Sequence, residues 1–460
     1  MKIAVEGCAH GALSSIYDQI HTLESKNGYK VDLLLICGDF QAMRNESDLQ
    51  CMAVPDKYRQ LGEFWKYYTG KETAPLLTII IGGNHEASNY FWELYHGGWI
   101  APNMYFLGHA GCIQVNGIRI AGASGIFKGQ DFSLGHFERL PYNAGSMRSI
   151  YHIREFNIRR LSLLSSPTIF LSHDWPVHIT AHGDLPSLLR RKPYFKRDIQ
   201  EGNLGSPPLW GLLGTLKPDW WFAAHLHCRF EAEVTHEEFI EGRSDQAKEV
   251  KVDNPDEIVI DDDDFEGAGE VKAASETIQD TVPPVPSNPD EIRLDDEEED
   301  VAPPPPPLPA RIVKVTKFLA LDKCLPKRQF LEVIDIPTPS TTETSAPTTP
   351  ILTFDPEWLA ITRAFNTFFS SNRSQLPYPD EPTARAMVAQ QLEWVLKNVG
   401  TDKRVTDVQV FEEVAPGPSN EKEQGRNKQQ PPYYPNPQTA AFCKMLDIEN
   451  KVDAGRIRSP

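Results

Sequence analysis

Side chains that can bind a metal ion follow five short apolar segments of this sequence. The segments KIAVEG, LLLICG, TIIIGG, TIFLS and WWFAA have the length and composition of buried β-strands. The residues directly after them are Cys8-Ala9-His10, Asp39, Asn84-His85-Glu86, His173-Asp174 and His225-Leu226-His227. Ligands of open α/β sheets bind where the strands end in their carboxyl direction. We therefore expect these side chains to converge on one site.

The residue types in this pattern fit a centre with two divalent cations. The carboxylate of Asp39 can bridge two ions, and the remaining residues divide into two groups of three, which are Cys8, His10 and His227, and Asn84, His173 and His225. The i, i+2 spacing of the last two histidines predicts that both imidazoles lie on one side of an extended strand. Two adjacent cations bind a phosphate and generate a nucleophilic hydroxide near neutral pH.

His85 directly follows one of the expected ligands and is close enough to reach a bound phosphate without binding metal. An imidazole titrates near neutral pH, so we expect it to act as the general acid that protonates the leaving alkoxide.

Each of these residues also has an ordinary structural explanation when it is taken alone. Asp39 could be a turn residue, and Gly-Asn-His-Glu could be a tight turn. A single histidine is usually structural, and we expect this of His21, His96, His109, His182 and His236. The ordered set at five strand ends is what favours a metal centre.

Composition limits the class of protein. The chain has 460 residues and a net charge of −18, but residues 231–300 alone hold 26 acidic and 5 basic residues. The remainder can therefore still contact a polyanion.

Seven cysteines without a pairing pattern favour a reduced intracellular compartment. The N-terminus lacks a signal-peptide pattern, and the apolar runs are too short to span a bilayer, so we expect no membrane association.

The chain divides into segments of different character. We predict an α/β catalytic unit over 1–230, an acidic, Pro-rich disordered insert over 231–309, strands over 310–336 that return to the catalytic unit, a linker over 337–352, a helical region over 353–400 and a disordered tail over 401–460.

The order D-x-H, G-D, G-N-H-[ED], H and G-H-x-H marks the calcineurin-like metallophosphoesterases. This sequence resembles it, except that Cys8 replaces the Asp and Ala224 replaces the Gly of the last motif. Both departures match a narrower group. The blocks GCAHGALSSIY, CGDFQAMRNESDLQ, IGGNHEASNY, PYNAGSMRSIYHIRE and TKFLALDKCLPKR resemble the RNA lariat debranching enzymes, over residues 1–230 and 310–336.

The resemblance implies an αββα sandwich of two packed mixed sheets with a smaller C-terminal helical part. It implies hydrolysis of the 2′–5′ phosphodiester at the branch point of excised intron lariat RNA, after pre-mRNA splicing. One or two divalent ions per chain, Fe²⁺, Zn²⁺ or Mn²⁺, would serve as cofactors. The enzyme would act in the nucleus, with the cytoplasm as a further location, on branched RNA and beside spliceosome-associated proteins. The oligomeric state stays open.

The family's metal-binding positions map onto Cys8, His10, Asp39, Asn84, His173, His225 and His227, and its catalytic acid maps onto His85. One departure concerns phosphate binding. Family members often carry Arg and a small residue after the H-D-W-P motif, whereas this chain has Val177-His178.

Residues 127–156 resemble a lariat-recognition loop and combine aromatic with basic side chains, which can stack on bases and hold phosphates. The candidate RNA contacts are Lys128, Tyr142, Arg148, Tyr151 and His152. An amphipathic helix that packs Ile150 and Phe156 on the core is the alternative. A second candidate surface, with a plain solvated face as its alternative, comprises Arg190, Arg191, Lys192, Lys196 and Arg197.

Two other functions stay open at this point. The ligand set also suits another metallophosphoesterase, such as a protein phosphatase or a nucleotide phosphodiesterase. A non-catalytic scaffold is a third interpretation, although all seven ligand positions and His85 are filled.

Overall fold

Two mixed β-sheets form the centre of the fold. The computed structural model describes residues 1–236, 313–339, 349–418 and 429–455. The strands in these ranges are β1 (Lys2–Glu6), β2 (Leu33–Ile36), β3 (Leu77–Ile80), β4 (Gly98–Ala101), β5 (Met104–Phe106), β6 (Ala110–Val115), β7 (Ile118–Ala123), β8 (Ile169–Ser172), β9 (Trp220–Ala223), β10 (Phe230–His236), β11 (Lys314–Ala320), β12 (Leu331–Asp335) and β13 (Leu352–Phe354).

The strand orders are β12-β1-β2-β3-β5-β4 in the first sheet and β10-β11-β9-β8-β7-β6-β13 in the second. In the first sheet β1, β2, β3 and β5 run parallel, and in the second β7, β8, β9 and β11 do so. Antiparallel strands complete both sheets. Strands such as β2 and β8 are buried throughout, as expected for parallel strands that are covered on both faces.

Helices connect and cover the sheets. Their bounds are α1 (Leu13–Asn27), α2 (Phe64–Tyr68), α3 (Ser88–Glu93), α4 (Gly129–Phe132), α5 (Ala144–Ser149), α6 (Glu155–Leu161), α7 (Leu185–Arg191), α8 (Phe195–Glu201), α9 (Pro207–Leu216), α10 (Pro356–Phe365), α11 (Glu381–Asn398) and α12 (Pro437–Met445). Among the described residues, none of these helices combines the length and the apolar character needed to cross a bilayer. The α/β sandwich with a C-terminal helical part is confirmed.

Both sheets depend on strands from the segment 310–336. β11 inserts between β9 and β10 in the second sheet, and β12 pairs with β1 in the first. Two boundaries differ from the sequence prediction. β10 continues to His236, inside the segment predicted as an insert, and β13 begins at Leu352, the last residue of the predicted linker. The rest of the predicted insert, 237–309, lies outside the described residues.

The prediction of a disordered tail over 401–460 is wrong for its described part. Helix α12 packs Phe442 and Cys443 into the core. The side-chain amide of Gln438 pairs with the backbone of Trp99 in β4, since its Oε1 accepts from the N–H at 2.7 Å and its Nε2 donates to the carbonyl at 2.8 Å. β4 is the end strand of its sheet, so this amide satisfies an edge that would otherwise stay open.

Candidate metal centre

Four of the expected ligands form a tight cluster at the carboxyl edge of the two sheets. Single donor atoms from Cys8, His10, Asp39 and His227 all lie within 4.8 Å of one another. The Nε2 atom of His10 lies 3.2 Å from Nε2 of His227 and 3.7 Å from Oδ2 of Asp39. A thiol, two imidazoles and a carboxylate form a donor set that suits a divalent transition metal.

The other three expected ligands gather around the second carboxylate oxygen of Asp39. The Nε2 atom of His173 lies 3.4 Å from Oδ1 of Asp39 and 3.1 Å from Oδ1 of Asn84. The rings of His173 and His225 are 5.0 Å apart between centroids. Asp39 therefore offers one oxygen to each group, as a bridging ligand would.

The donor chemistry fits the divalent cations that the sequence pattern implies. Oδ2 of Asp39 is buried and has no hydrogen-bond partner among the described residues. Such a group is costly unless it is paired or coordinates a cation. The backbone N–H of His225 donates to Sγ of Cys8 at 3.2 Å, which holds this sulfur in the cluster.

Burial and neighbouring charges set the protonation of these groups. Burial lowers the pKa of His225 to about 3, with the charge of His173 as the next cause, and burial and His10 lower the pKa of His227 to about 2. Both imidazoles are therefore neutral near pH 7, which is the form that binds metal. Burial and the charge of Asp39 raise the pKa of the Cys8 thiol, so a cation must displace its proton.

Asp39 stays ionised despite its environment. Burial raises the pKa of this carboxyl, but the nearby imidazoles of His173, His85 and His10 together outweigh burial and hold the pKa well below its usual range. A fully charged carboxylate at the centre of the cluster is the stronger ligand for a cation.

The backbone at the site adopts uncommon conformations. His10, Asp39, His225 and His227 all have positive φ, between 44° and 62°. Such residues cost strain energy and concentrate at functional sites. The prediction that His225 and His227 lie along one extended strand is wrong, because β9 ends at Ala223 and the AHLH segment turns. The turn directs one imidazole to each donor group.

Glycines let the two sheets approach each other at the cluster. A Cβ atom on Gly83 would lie 2.2 Å from Oδ1 of Asp39, and one on Gly38, which has a φ of 105°, would lie 2.4 Å from Nδ1 of His173. No other residue type fits at these two positions without moving a ligand.

His85 lies beside the cluster and outside both donor groups. Its backbone N–H donates to Oδ1 of Asp39 at 2.9 Å, and its ring centroid is 5.8 Å from that of His10. The side chain is half-buried at the mouth of the site. It can therefore reach a group bound at the cluster.

Sequence reasoning missed the residues that hold the ligands in place. Glu86 is buried, and its carboxylate accepts hydrogen bonds from the N–H groups of Phe40, Gln41 and Gly83 at 2.8, 2.8 and 2.9 Å. It ties the loop after Asp39 to the loop that carries Asn84. The G-N-H-[ED] motif contained this signal, since the acidic fourth position has no ligand role in the assignment. Nδ1 of His173 donates to the carbonyl of Cys37 at 2.8 Å, which fixes the ring.

Segment 127–156 adjoins the site through Asp174, whose Oδ2 accepts from the N–H of Phe127 at 3.1 Å. Within the segment, Lys128 is half-buried and Arg148 is exposed. In contrast, the expected stacking residues Tyr142, Tyr151 and His152 are buried, so their rings are covered in this conformation.

The comparisons with known proteins cover almost the whole chain. The calcineurin-like phosphoesterase family matches residues 1–229, and the family described as lariat debranching enzyme, C-terminal domain, matches residues 313–451. Lariat debranching enzyme from Arabidopsis thaliana is 40% identical over 99% of this chain and 88% of its own length. The enzyme of that name from Drosophila melanogaster is 44% identical, over 98% of this chain and 78% of its own. The one from Schizosaccharomyces pombe is 38% identical over 98% of this chain and 96% of its own length.

These relatives share the C-terminal part as well as the metallophosphoesterase part, and they are all named for one activity. They lend no support to the alternative interpretations as a protein phosphatase, a nucleotide phosphodiesterase or a scaffold. The chain belongs to the lariat debranching enzymes, which are hydrolases of the calcineurin-like phosphoesterase superfamily.

Proposed function

We propose that this chain hydrolyses the 2′–5′ phosphodiester at the branch point of excised intron lariat RNA. The observation that carries the proposal is the similarity to lariat debranching enzymes along nearly the full chain, including both matched families. The products would be a linear RNA with a 5′-phosphate and a branch nucleotide with a free 2′-hydroxyl. A substrate made by splicing favours action in the nucleus, near spliceosome-associated proteins.

Seven residues would hold the divalent cations of this family. Asp39 would bridge two positions, one completed by Cys8, His10 and His227 and the other by Asn84, His173 and His225. When bound, such cations neutralise phosphate charge and activate water for attack on phosphorus. The soft sulfur of Cys8 favours Zn²⁺ or Fe²⁺ over Mg²⁺, with Mn²⁺ as a further candidate.

The remaining chemistry falls to the chain's own side chains. Hydrolysis forms a bond from a water oxygen to phosphorus and breaks the bond from phosphorus to the 2′-oxygen, which needs a proton. The imidazole of His85 lies at the mouth of the cluster and outside its donor groups, which supports a role as the donor of that proton. One proton of the attacking water passes to solvent, and His85 regains a proton from solvent after the leaving group departs, so charge and atoms balance over the cycle.

Segment 127–156 would contact RNA beside the phosphate. In the described conformation Lys128 and Arg148 are the members of the candidate set that solvent reaches. Base stacking on Tyr142, Tyr151 or His152 requires the segment to open first.

The deciding experiment compares two RNAs of identical sequence, one with a single 2′–5′ branch and one with 3′–5′ bonds only. The full chain is stripped with a chelator and reloaded separately with Fe²⁺, Zn²⁺ or Mn²⁺, and the metal content of each sample is measured. We expect loss of the branch in at least one metal form while the linear RNA stays intact. Equal cleavage of both RNAs, or no cleavage in any fully loaded form, would overturn the proposal. Parallel samples with a phosphopeptide and a cyclic nucleotide test the rival activities.

A further inference from the structure

The turn between β11 and β12 lies at the same edge of the fold as the candidate metal centre. β7, β8, β9 and β11 are neighbours that run parallel or share a parallel partner, so their carboxyl ends meet at one edge. β8 and β9 lead to His173 and His225, β7 leads to segment 127–156, and β11 leads to the turn at 321–330. The centre therefore has segment 127–156 on one side and this turn on the other.

Hydrogen bonds fix this turn to the metal cluster. The N–H of Cys8 donates to the carbonyl of Asp322 at 3.3 Å, and the N–H of Cys324 donates to the carbonyl of Cys8 at 3.0 Å. Lys323 lies between these two bonds. Its backbone also pairs directly with that of Cys8 in a short parallel bridge, so Lys323 adjoins the cluster.

More cations lie on this turn and on a helix that starts near it. Lys327 and Arg328 are on the turn itself. Helix α7 begins two residues after Gly183, which bridges to β10, the strand beside β11, and it ends at Arg191, next to Lys192. We define the basic surface as Arg191, Lys192, Lys323, Lys327 and Arg328. The carboxylate of Asp322 pairs with Arg328 at 3.4 Å, so one acidic group accompanies these five basic ones.

Positive charge next to a cation-binding cluster is unfavourable for the resident metal. The arrangement becomes favourable when an anion binds between the metal and the side chains, as in phosphate-binding sites.

A branched RNA also has three strands that leave the branch nucleotide, so its backbone needs contacts in more than one direction. Segment 127–156 supplies contacts on one side only.

We propose that the basic surface binds the phosphate backbone of one arm of the branched RNA, on the side of the centre opposite segment 127–156. This inference rests on the proposed function for the identity of the RNA. Lys323 would contact the phosphate nearest the centre, and Lys192 and Lys327 would contact phosphates further along the strand. The turn lies within the block TKFLALDKCLPKR, which resembles the family, but the sequence analysis gave no function to its lysines.

The test measures RNA binding by the full chain without metal, so that it does not depend on cleavage. Fluorescence anisotropy follows a labelled branched RNA at several salt concentrations. The double variant Lys192→Gln/Lys327→Gln should raise the Kd about tenfold and make the slope of log Kd against log salt shallower by about 1.4, because each lost phosphate contact on a single strand contributes about 0.7. Lys323→Gln alone should change the slope by about 0.7. Arg328 stays unchanged in these variants because its partner Asp322 is buried.

The matched control is Lys26→Gln/Lys30→Gln, which removes the same charge in the last turn of α1 and just after it, near the edge where β1 and β2 begin. The control should bind RNA like the unmodified chain. If Lys192→Gln/Lys327→Gln matches the control in Kd and in salt slope, the basic surface is not an RNA-binding site. If the double variant does not fold stably, the single variant Lys327→Gln, at an exposed position, replaces it in the same binding measurement. Absence of branch cleavage by the unmodified chain would refute the proposed function and leave this binding result readable by itself.

Discussion

The Nε2 atoms of His10 and His227 lie 3.2 Å apart, although 217 residues separate them in the chain. Two ring nitrogens at this distance need either a shared proton or a shared cation between them. Burial and His10 lower the pKa of His227 to about 2, so this ring is neutral near pH 7, which is the form that binds metal. A divalent cation held by these two nitrogens together with Asp39 and Cys8 would satisfy both lone pairs.

Asp39→Asn should remove metal from both donor groups, because each uses one of its oxygens. We expect branch cleavage to fall at least roughly a hundredfold, since charge stabilisation at the phosphate is lost. Metal content by mass spectrometry and single-turnover rates measure the two effects. Asp18→Asn, on the exposed face of α1, is the matched control and should change neither. Retention of both metals in Asp39→Asn would contradict the bridging role.

Cys8→Ser should reduce occupancy at one position more than at the other, because Cys8 belongs to the group with His10 and His227 only. A neutral hydroxyl is a poorer ligand for Zn²⁺ or Fe²⁺ than a thiolate. Titration of stripped protein with each metal, followed by mass spectrometry, gives the stoichiometry. Cys112→Ser is the control, since this buried thiol lies in β6, away from the donor groups. Equal loss at both positions would argue against the assignment.

His85→Ala should lower the cleavage rate of branched RNA roughly 10²–10⁴-fold, as expected for loss of a general acid, while metal content stays constant. An ester with a p-nitrophenolate leaving group departs without a proton and should lose much less activity. His21→Ala is the control, because its side chain is 77% exposed on α1. If both substrates slow down equally in His85→Ala, the side chain acts in some way other than as an acid.

Glu86→Ala should weaken metal binding roughly 10- to 100-fold, which is typical for residues that orient ligands. The substitution leaves the N–H groups of Phe40, Gln41 and Gly83 without their acceptor. Each buried donor that loses its partner costs about 1–3 kcal/mol, so the Tm should fall as well. Metal titration and thermal unfolding check both effects against Glu233→Ala, which removes an exposed carboxylate from β10. An unchanged metal affinity would show that the loops hold without Glu86.

His96→Asn should make the protein less sensitive to acid. Burial, with smaller contributions from Arg160 and His109, lowers the pKa of His96 from 6.5 to about 3. Below pH 6.5 the unfolded chain takes up a proton on this residue and the folded chain does not, so stability is lost as the pH falls towards 3. As the pH falls, the free energy of unfolding should therefore decrease less steeply in the variant than in the unmodified chain. The difference between the two slopes should be about 1.4 kcal/mol per pH unit.

Urea unfolding at pH 5.5 and pH 4.5 measures this difference. His21→Asn is the control, because an exposed side chain is solvated in both states and should leave the slope unchanged. Equal slopes for His96→Asn and the unmodified chain would show that the buried imidazole is protonated in the folded protein.

The positions of the candidate ligands could be predicted because parallel strands bring distant residues to one edge. Strand endings mark Asp39 and His173 in the sequence, and the packing of the first sheet against the second brings them within 3.4 Å. The turn at His225 and His227 could not be predicted, because alternation alone does not reveal where a strand ends and a left-handed turn begins. The hydrogen bonds of Glu86 depend on backbone groups of another loop, which no local pattern encodes.

The order of the C-terminal part could not be predicted for a related reason. Residues 401–460 are polar and rich in proline, and in their described part buried apolar side chains, such as Phe442, are few. Composition therefore suggested disorder, whereas the order depends on surfaces that lie far away in sequence. The hydroxyl of Thr439 donates to the carbonyl of Glu93 at 2.6 Å, across 346 residues.

The pairing of Gln438 with Trp99 has a consequence for biosynthesis. The partner of β4, the outer strand of the first sheet, is an amide group that the ribosome adds more than three hundred residues later. We expect a growing or prematurely ended polypeptide to expose that strand to other chains and to chaperones. Truncation of the chain before Gln438 would then yield insoluble protein, even when every residue of the candidate metal centre has been made.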